Sequence, residues 1–152
     1  MLPTPTKFTL VAGKAEGPTR LNAFDNALLN AGVGNLNLVR VSSILPPAAT
    51  YVERVDIPYG SLVPMAYGSI VSSETGKRIC AGIGVGISPK GYGIIMEYSG
   101  EGTARSAEEA VKQMVEEAFR VRGLHLKEIK VKAEEHVVQE TGAVFAGAAL
   151  WY

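Results

Sequence analysis

Ile79-Cys80-Ala81-Gly82-Ile83-Gly84-Val85-Gly86-Ile87-Ser88 alternates with a period of two. Ile79, Ala81, Ile83, Val85 and Ile87 make one apolar face, and Cys80, Gly82, Gly84, Gly86 and Ser88 make the other. That spacing is a strand. A face made almost wholly of glycine is costly in chain entropy, so it belongs where another backbone or a ligand approaches closely. Pro89-Lys90-Gly91 turns the chain into a further strand, Tyr92 to Tyr98, and Val63 to Ser73 reads as a strand interrupted at Gly68. Downstream, Ala107, Ala110, Val111, Met114, Val115, Ala118 and Phe119 follow the helical period, predicting a helix from Ser106 to Arg122 that Gly123 ends. Ser106 and Glu109 match a capping box. Leu126 to Val138 and Ala143 to Trp151 close the chain as strands. The last is apolar on both sides, as a central strand must be.

Upstream, Phe8 to Gly13 is a strand closed by Gly13, and Thr19 caps a helix from Arg20 to Asn30. Leu21, Phe24, Leu28 and Ala31 recur at helical spacing and are expected to face the core, leaving Asn22, Asp25, Asn26 and Leu29 off that stripe. Gly32 and Gly34 stop the helix. Asn35 to Ser43 is the second strand. A regular strand puts Asn37, Val39, Val41 and Ser43 on one side, with Leu36, Leu38, Arg40 and Ser42 on the other. Pro46-Pro47 forbids its continuation, and Tyr51 to Val55 is a short edge strand. The order β-α-β-β-β-β-β-α-β-β, joined mostly by hairpins, defines an α+β fold with mainly antiparallel strands covered by two helices.

A length of 152 residues is the size of one domain, residues 1–152. Fifteen basic and fifteen acidic residues leave no net charge and no basic run, so a nucleic-acid footprint is not expected. Cys80 is the lone cysteine, which excludes an intrachain disulfide and points to a reducing, cytoplasmic setting. No signal peptide is expected at Met1 to Lys7. No apolar run reaches the ~20 residues that span a bilayer, so no membrane partner is expected.

The chemistry concentrates at Ser42-Ser43, a doublet entered by the apolar run Leu38-Val39-Arg40-Val41 and left through Ile44-Leu45-Pro46-Pro47. A serine hydroxyl there can attack the preceding carbonyl and turn the amide into an ester. Ser72-Ser73 lacks both surroundings and reads as a strand end. Asn35-Leu36-Asn37 and the doublet, together with Leu21-Asn22-Ala23-Phe24-Asp25, Ala27 to Gly32, Leu62-Val63-Pro64, Ala66-Tyr67-Gly68, Ile95-Met96-Glu97-Tyr98, Glu135-His136 and Ala148 to Tyr152, resemble the pyruvoyl-dependent arginine decarboxylases of archaea and some bacteria. The likeness runs in order along nearly the whole chain.

The resemblance implies a four-layer αββα sandwich, assembled as a trimer of processed protomers with sites where subunits meet. It implies cleavage between Ser42 and Ser43 into a β chain, residues 1–42, and an α chain, residues 43–152, headed by a pyruvoyl group made from Ser43. It implies conversion of L-arginine to agmatine and CO2 through a Schiff base on that group, without metal or pyridoxal phosphate. The pyruvoyl ketone would act as the electron sink. Glu97, in the apolar run Ile94-Ile95-Met96, is the candidate proton donor. An apolar wall would favour its acid form, although a glutamate at a strand's solvent edge has the same sequence. Asn37 shares strand parity with Ser43 and could hydrogen-bond the Ser42 carbonyl or the substrate carboxylate; alternatively it is a polar edge residue. Asp25 reads either as a solvated helix residue or, by the resemblance, as the partner of the substrate guanidinium. Gly34, Leu36 and Ile44 are candidate lining positions.

Other readings are weaker. His125 and His136 have no partners at metal-ligand spacing, and Gly82 to Gly86 lacks the strand–loop–helix setting of a nucleotide loop. A pyruvoyl decarboxylase for another amino acid, or an unprocessed relative with a structural or binding role, remain the alternatives.

Overall fold

The computed structural model describes residues 1–152. The chain forms β1 (Lys7–Glu16), α1 (Arg20–Asn30), β2 (Asn37–Arg40), β3 (Ile44–Leu45), β4 (Thr50–Tyr51), β5 (Leu62–Ser72), β6 (Arg78–Ile87), β7 (Gly93–Glu101), α2 (Ala104–Arg122), β8 (Glu128–Val137) and β9 (Gly142–Trp151). One sheet has the order β2-β5-β9-β1-β4 and the other β3-β7-β6-β8. The long strands pair antiparallel, whereas the short edge strands β2 and β4 pair parallel with β5 and β1. The sheets stack face to face, with α1 on the outside of the first and α2 on the outside of the second. This is the expected α+β sandwich of four layers. No helix is long and apolar enough to cross a membrane.

The main core lies between the sheets, built from Phe8, Leu10, Ile79, Ile83, Val85, Ile95, Val144 and Leu150. Two further apolar layers sit beneath the helices. β9 is central and buried along nearly its whole length, as its two-sided apolar sequence requires. The glycine face of β6 receives α2. A Cβ on Gly84 would stand 3.1 Å from Val111, and one on Gly86 2.5 Å from Val115 and Phe119. The close approach is thus by a helix rather than a ligand.

Several local expectations change. β1 runs through Gly13 to Glu16 rather than ending there. A Cβ at Gly13 would stand 2.6 Å from the Ala31 nitrogen, so this glycine lets α1 press onto the strand. The buried face of α1 is correspondingly small, Ala23, Ala27 and Leu28, while Leu21 is exposed. Thr19 caps α1 as expected, accepting from the Asn22 amide. In α2 the capping box is Thr103 with Ser106, one turn earlier than Ser106 with Glu109. β5 is continuous through Gly68, where a Cβ would stand 3.2 Å from the Tyr98 carbonyl oxygen and 3.4 Å from the Glu97 Cβ of the facing sheet. The strand expected over Asn35 to Ser43 stops at Arg40, and the edge strand near Tyr51 stops there rather than at Val55. The chain therefore has six strands between its helices, not five.

Candidate active site

The early end of β2 places the serine doublet. β2 is the edge of the first sheet, in register with β5 from Asn37 opposite Leu62 to Arg40 opposite Met65. The Val41 amide still donates to the Met65 carbonyl at 3.1 Å. Two residues later the Ser43 carbonyl accepts from the Ile95 amide on β7 at 2.7 Å, and Ile44 opposes Ile94 in the second sheet. Ser42 is thus where the backbone crosses from one sheet to the other. It lies in neither ladder and is exposed, while Ser43 is half-buried. The diproline explains the brevity of β3, because neither proline can donate to a ladder.

The crossing brings Ser43 to the strand that carries Glu97. With Ser43 bonded to Ile95, Glu97 is two residues further along β7 and on the same face as Ile95. That face looks between the sheets, since Ile95 is fully buried there. Glu97 is in the body of β7, not at a strand end, and its side chain keeps 29% of its exposure. Burial pushes its carboxyl above the ordinary glutamate value; the Arg40 guanidinium, with Nη2 3.9 Å from Oε1, pulls the other way.

Arg40 was missed as a site residue, although a lone charge in the apolar run before the doublet was its signal. Its Nη2 donates to the Tyr67 carbonyl at 2.7 Å, and its guanidinium carbon stands 4.6 Å from the Tyr67 ring centroid. Tyr67 packs in turn against Phe145 on β9 and Phe24 on α1. Ile44 is exposed beside this group.

The other candidates stand elsewhere in the chain. Asn37 is at the opposite end of β2, about 10 Å from Arg40 at ~3.3 Å per residue. Its Nδ2 donates to the Gly60 carbonyl at 3.0 Å. The parity shared by Asn37 and Ser43 does not survive, because the strand ends between them. Gly34 and Leu36 line a small cavity of about 160 Å³ with Leu29, Val55, Ile57 and Tyr59. Asp25 is exposed on α1, one residue after Phe24. The chain therefore presents two groups: Ser42, Ser43, Ile44, Arg40, Tyr67 and Glu97 at the change of sheet, and Asn37, Gly34 and Leu36 at the start of β2, with Asp25 exposed in the middle of α1 beside Phe24 and in contact with neither. His136 belongs to neither, being bonded to Glu16 at 2.6 Å. Buried Cys80 lies under α2, near Ser106.

The family model for pyruvoyl-dependent arginine decarboxylase matches residues 7–151. The protein of that name from Methanocaldococcus jannaschii is 50% identical over 151 residues, covering 97% of this chain and 91% of the relative. Those from Methanococcus maripaludis strain C5 and Pyrococcus furiosus are 47% and 46% identical, covering 97% and 98% of this chain and 92% and 96% of theirs. The chain belongs to the pyruvoyl-dependent arginine decarboxylase family.

Proposed function

We propose that this chain cleaves itself between Ser42 and Ser43 and then converts L-arginine to agmatine and CO2. The observation that carries the reading is the position of that bond. It lies outside both ladders, with Ser43 pinned by its carbonyl to Ile95 and a half-buried acid two residues further along β7. With neither the Ser42 carbonyl nor the Ser43 amide held in a ladder, the peptide group between them can turn to meet the Ser43 hydroxyl. Attack moves the acyl group from nitrogen to oxygen. Elimination breaks the Cβ–O bond and leaves residues 1–42 with a carboxylate terminus. The dehydroalanine left at position 43 takes up one water and loses ammonia, giving a ketone at the head of residues 43–152. The residues present fit this group: a hydroxyl at the right position, a partly enclosed wall and an acid.

A pyruvoyl ketone supplies the electrophile and the electron sink for loss of CO2, the role that pyridoxal phosphate plays elsewhere, so neither that cofactor nor a metal is needed. Glu97 in its acid form holds the proton that the substrate α-carbon gains when CO2 leaves. Ile44 offers an apolar wall. Asp25 is free of ion pairs within the chain and suits a guanidinium, with Gly34 and Leu36 lining the approach and Asn37 offering an amide to the substrate carboxylate.

The separation of Gly34, Leu36 and Asn37 from Ser43 and Glu97 within one chain supports sites completed across subunit boundaries, in the homotrimer that the family resemblance implies. The site's surroundings suit such a boundary. β2 and β3 are short, so the edges of β5 beyond Met65 and of β7 beyond Ile95 lie open side by side. Near them, Met96, Met114 and Val121 line an apolar groove of about 640 Å³. The buried thiol of Cys80 suits a reducing cytoplasm. The test is CO2 release from arginine, ornithine and lysine by the processed protein. Arginine should be the substrate, and Asp25→Ala should raise its KM at least tenfold, as loss of a charge-assisted pair implies. Equal turnover of all three, unaffected by that change, would contradict the assignment of substrate.

A further inference from the structure

The outward-facing carbonyl of Tyr67 sits where β5 loses its neighbour. β2 ends opposite Met65, so no strand amide reaches Tyr67. The Arg40 side chain takes that place. It bonds the carbonyl at 2.7 Å, covers the Tyr67 ring at 4.6 Å and still faces Glu97 Oε1 at 3.9 Å. The last distance is that of an ion pair, not of a hydrogen bond. Arg40 therefore spans the edges of both sheets, two residues before Ser42. A planar fork suits such three-way contact, since the guanidinium can donate at its rim while stacking through its face.

We propose that Arg40 is a positioning residue for the reaction: anchored on the Tyr67 carbonyl and ring, its guanidinium fixes where the Glu97 carboxyl stands beside Ser43 and sets the charge against which that carboxyl works. This rests on the assignment of Glu97 as the acid. The environment leaves Arg40 alone in the second role. From β5, Glu97 is faced by Gly68, which has no side chain; from β6 its register partner is Ile83. The next charged residue across the sheet is Lys132 on β8, opposite Ile83. Two strand spacings put it about 10 Å away. β3, on the other side of β7, contributes only Ile44 and Leu45. Burial and Arg40 pull the Glu97 proton in opposite directions, and removing the guanidinium removes the one charge that favours the carboxylate.

The experiment compares Arg40→Gln, Arg40→Lys and Glu97→Gln with the wild type, first by denaturing mass measurement to select processed protein, then by kcat and KM for CO2 release against pH. Activity that needs the acid form of Glu97 falls as pH rises through its pKa. Arg40→Gln should therefore move the alkaline limb of kcat to higher pH and lower its plateau. Arg40→Lys keeps a charge but not the fork, so its limb should stay near the wild-type position while kcat falls. A processed Arg40→Gln protein with the wild-type limb and plateau would overturn the proposal while Glu97→Gln remained inactive. Full turnover in Glu97→Gln would instead remove the Glu97 assignment and this proposal with it. Should Arg40→Gln fail to fold or cleave, Arg40→Lys decides: a wild-type kcat contradicts the positioning role, and a lowered kcat on an unmoved limb supports it.

Discussion

The proposed reaction asks opposite properties of Ser43 and Glu97, and their positions in the fold suit the two demands. In the proposed reaction the Ser42–Ser43 bond must rearrange, and it lies where the chain changes sheet; Glu97 is to keep its proton, and it sits in the body of β7 with Ile94 and Ile95 buried beside it. Ser43→Ala removes the attacking oxygen and should leave one uncleaved chain on denaturing electrophoresis. Glu97→Gln should lower kcat by about 10²-fold or more, the usual worth of a positioned acid, while CD shows the fold unchanged. The same residue costs stability. A carboxyl held above its ordinary value favours the fold at acidic pH, where it is protonated in both states, and opposes it once pH passes the folded pKa. Glu97→Gln should therefore raise the melting temperature at neutral pH and do so less at acidic pH. Equal melting temperatures at both pH values would contradict that cost. Of these residues, the serine doublet and, through the family resemblance, Glu97 were candidates from the sequence. Arg40 was not, because its partners, the Tyr67 carbonyl and ring, are 27 positions away.

Between elements, close approach explains what the apolar pattern misread. α1 turns its small residues inward because Gly13 lets helix backbone meet strand backbone, so Leu21 is left outside. Periodicity ranks residues by greasiness and cannot see that distance. Gly13→Ala forces a Cβ against the Ala27 carbonyl and the Ala31 amide, neither of which yields like a side-chain tip. Overpacking of that kind should cost about 2 kcal/mol in urea unfolding. The turn between β8 and β9 is held differently. The Glu16 carboxylate accepts from the amides of Gln139, Glu140 and Thr141 and bonds His136. Burial opposes its charge, but these bonds win and hold its carboxyl below the ordinary value. That stabilisation is present above the unfolded pKa and lost as pH falls through the folded one. Glu16→Ala should cost about 1.5 kcal/mol at neutral pH and less in strong acid. A pH-independent loss would show that the contact acts only by packing.

At the scale of the whole molecule, the fold brings two unrelated sheet edges to one place and passes the chain between them at Ser42. The sandwich class was readable because period-two runs such as Ile79 to Ser88 and the two-sided Ala143 to Trp151 are local signals. The change of sheet was not, because whether Ser43 follows β2 or joins β7 depends on pairing with residues some 50 positions later, which no local period encodes. The same crossing leaves Asn37 and Ser43 apart, a separation that a site shared between subunits would close. Sedimentation of the processed protein should report a trimer, and an active monomer would contradict sites completed between subunits. Self-cleavage underlies everything else. Denaturing intact-mass measurement of purified protein tests it most directly. The account predicts two chains, residues 1–42 with a free carboxylate and residues 43–152 lighter by one ammonia than a serine-headed fragment. A single intact chain from a preparation that releases CO2 from arginine would contradict it.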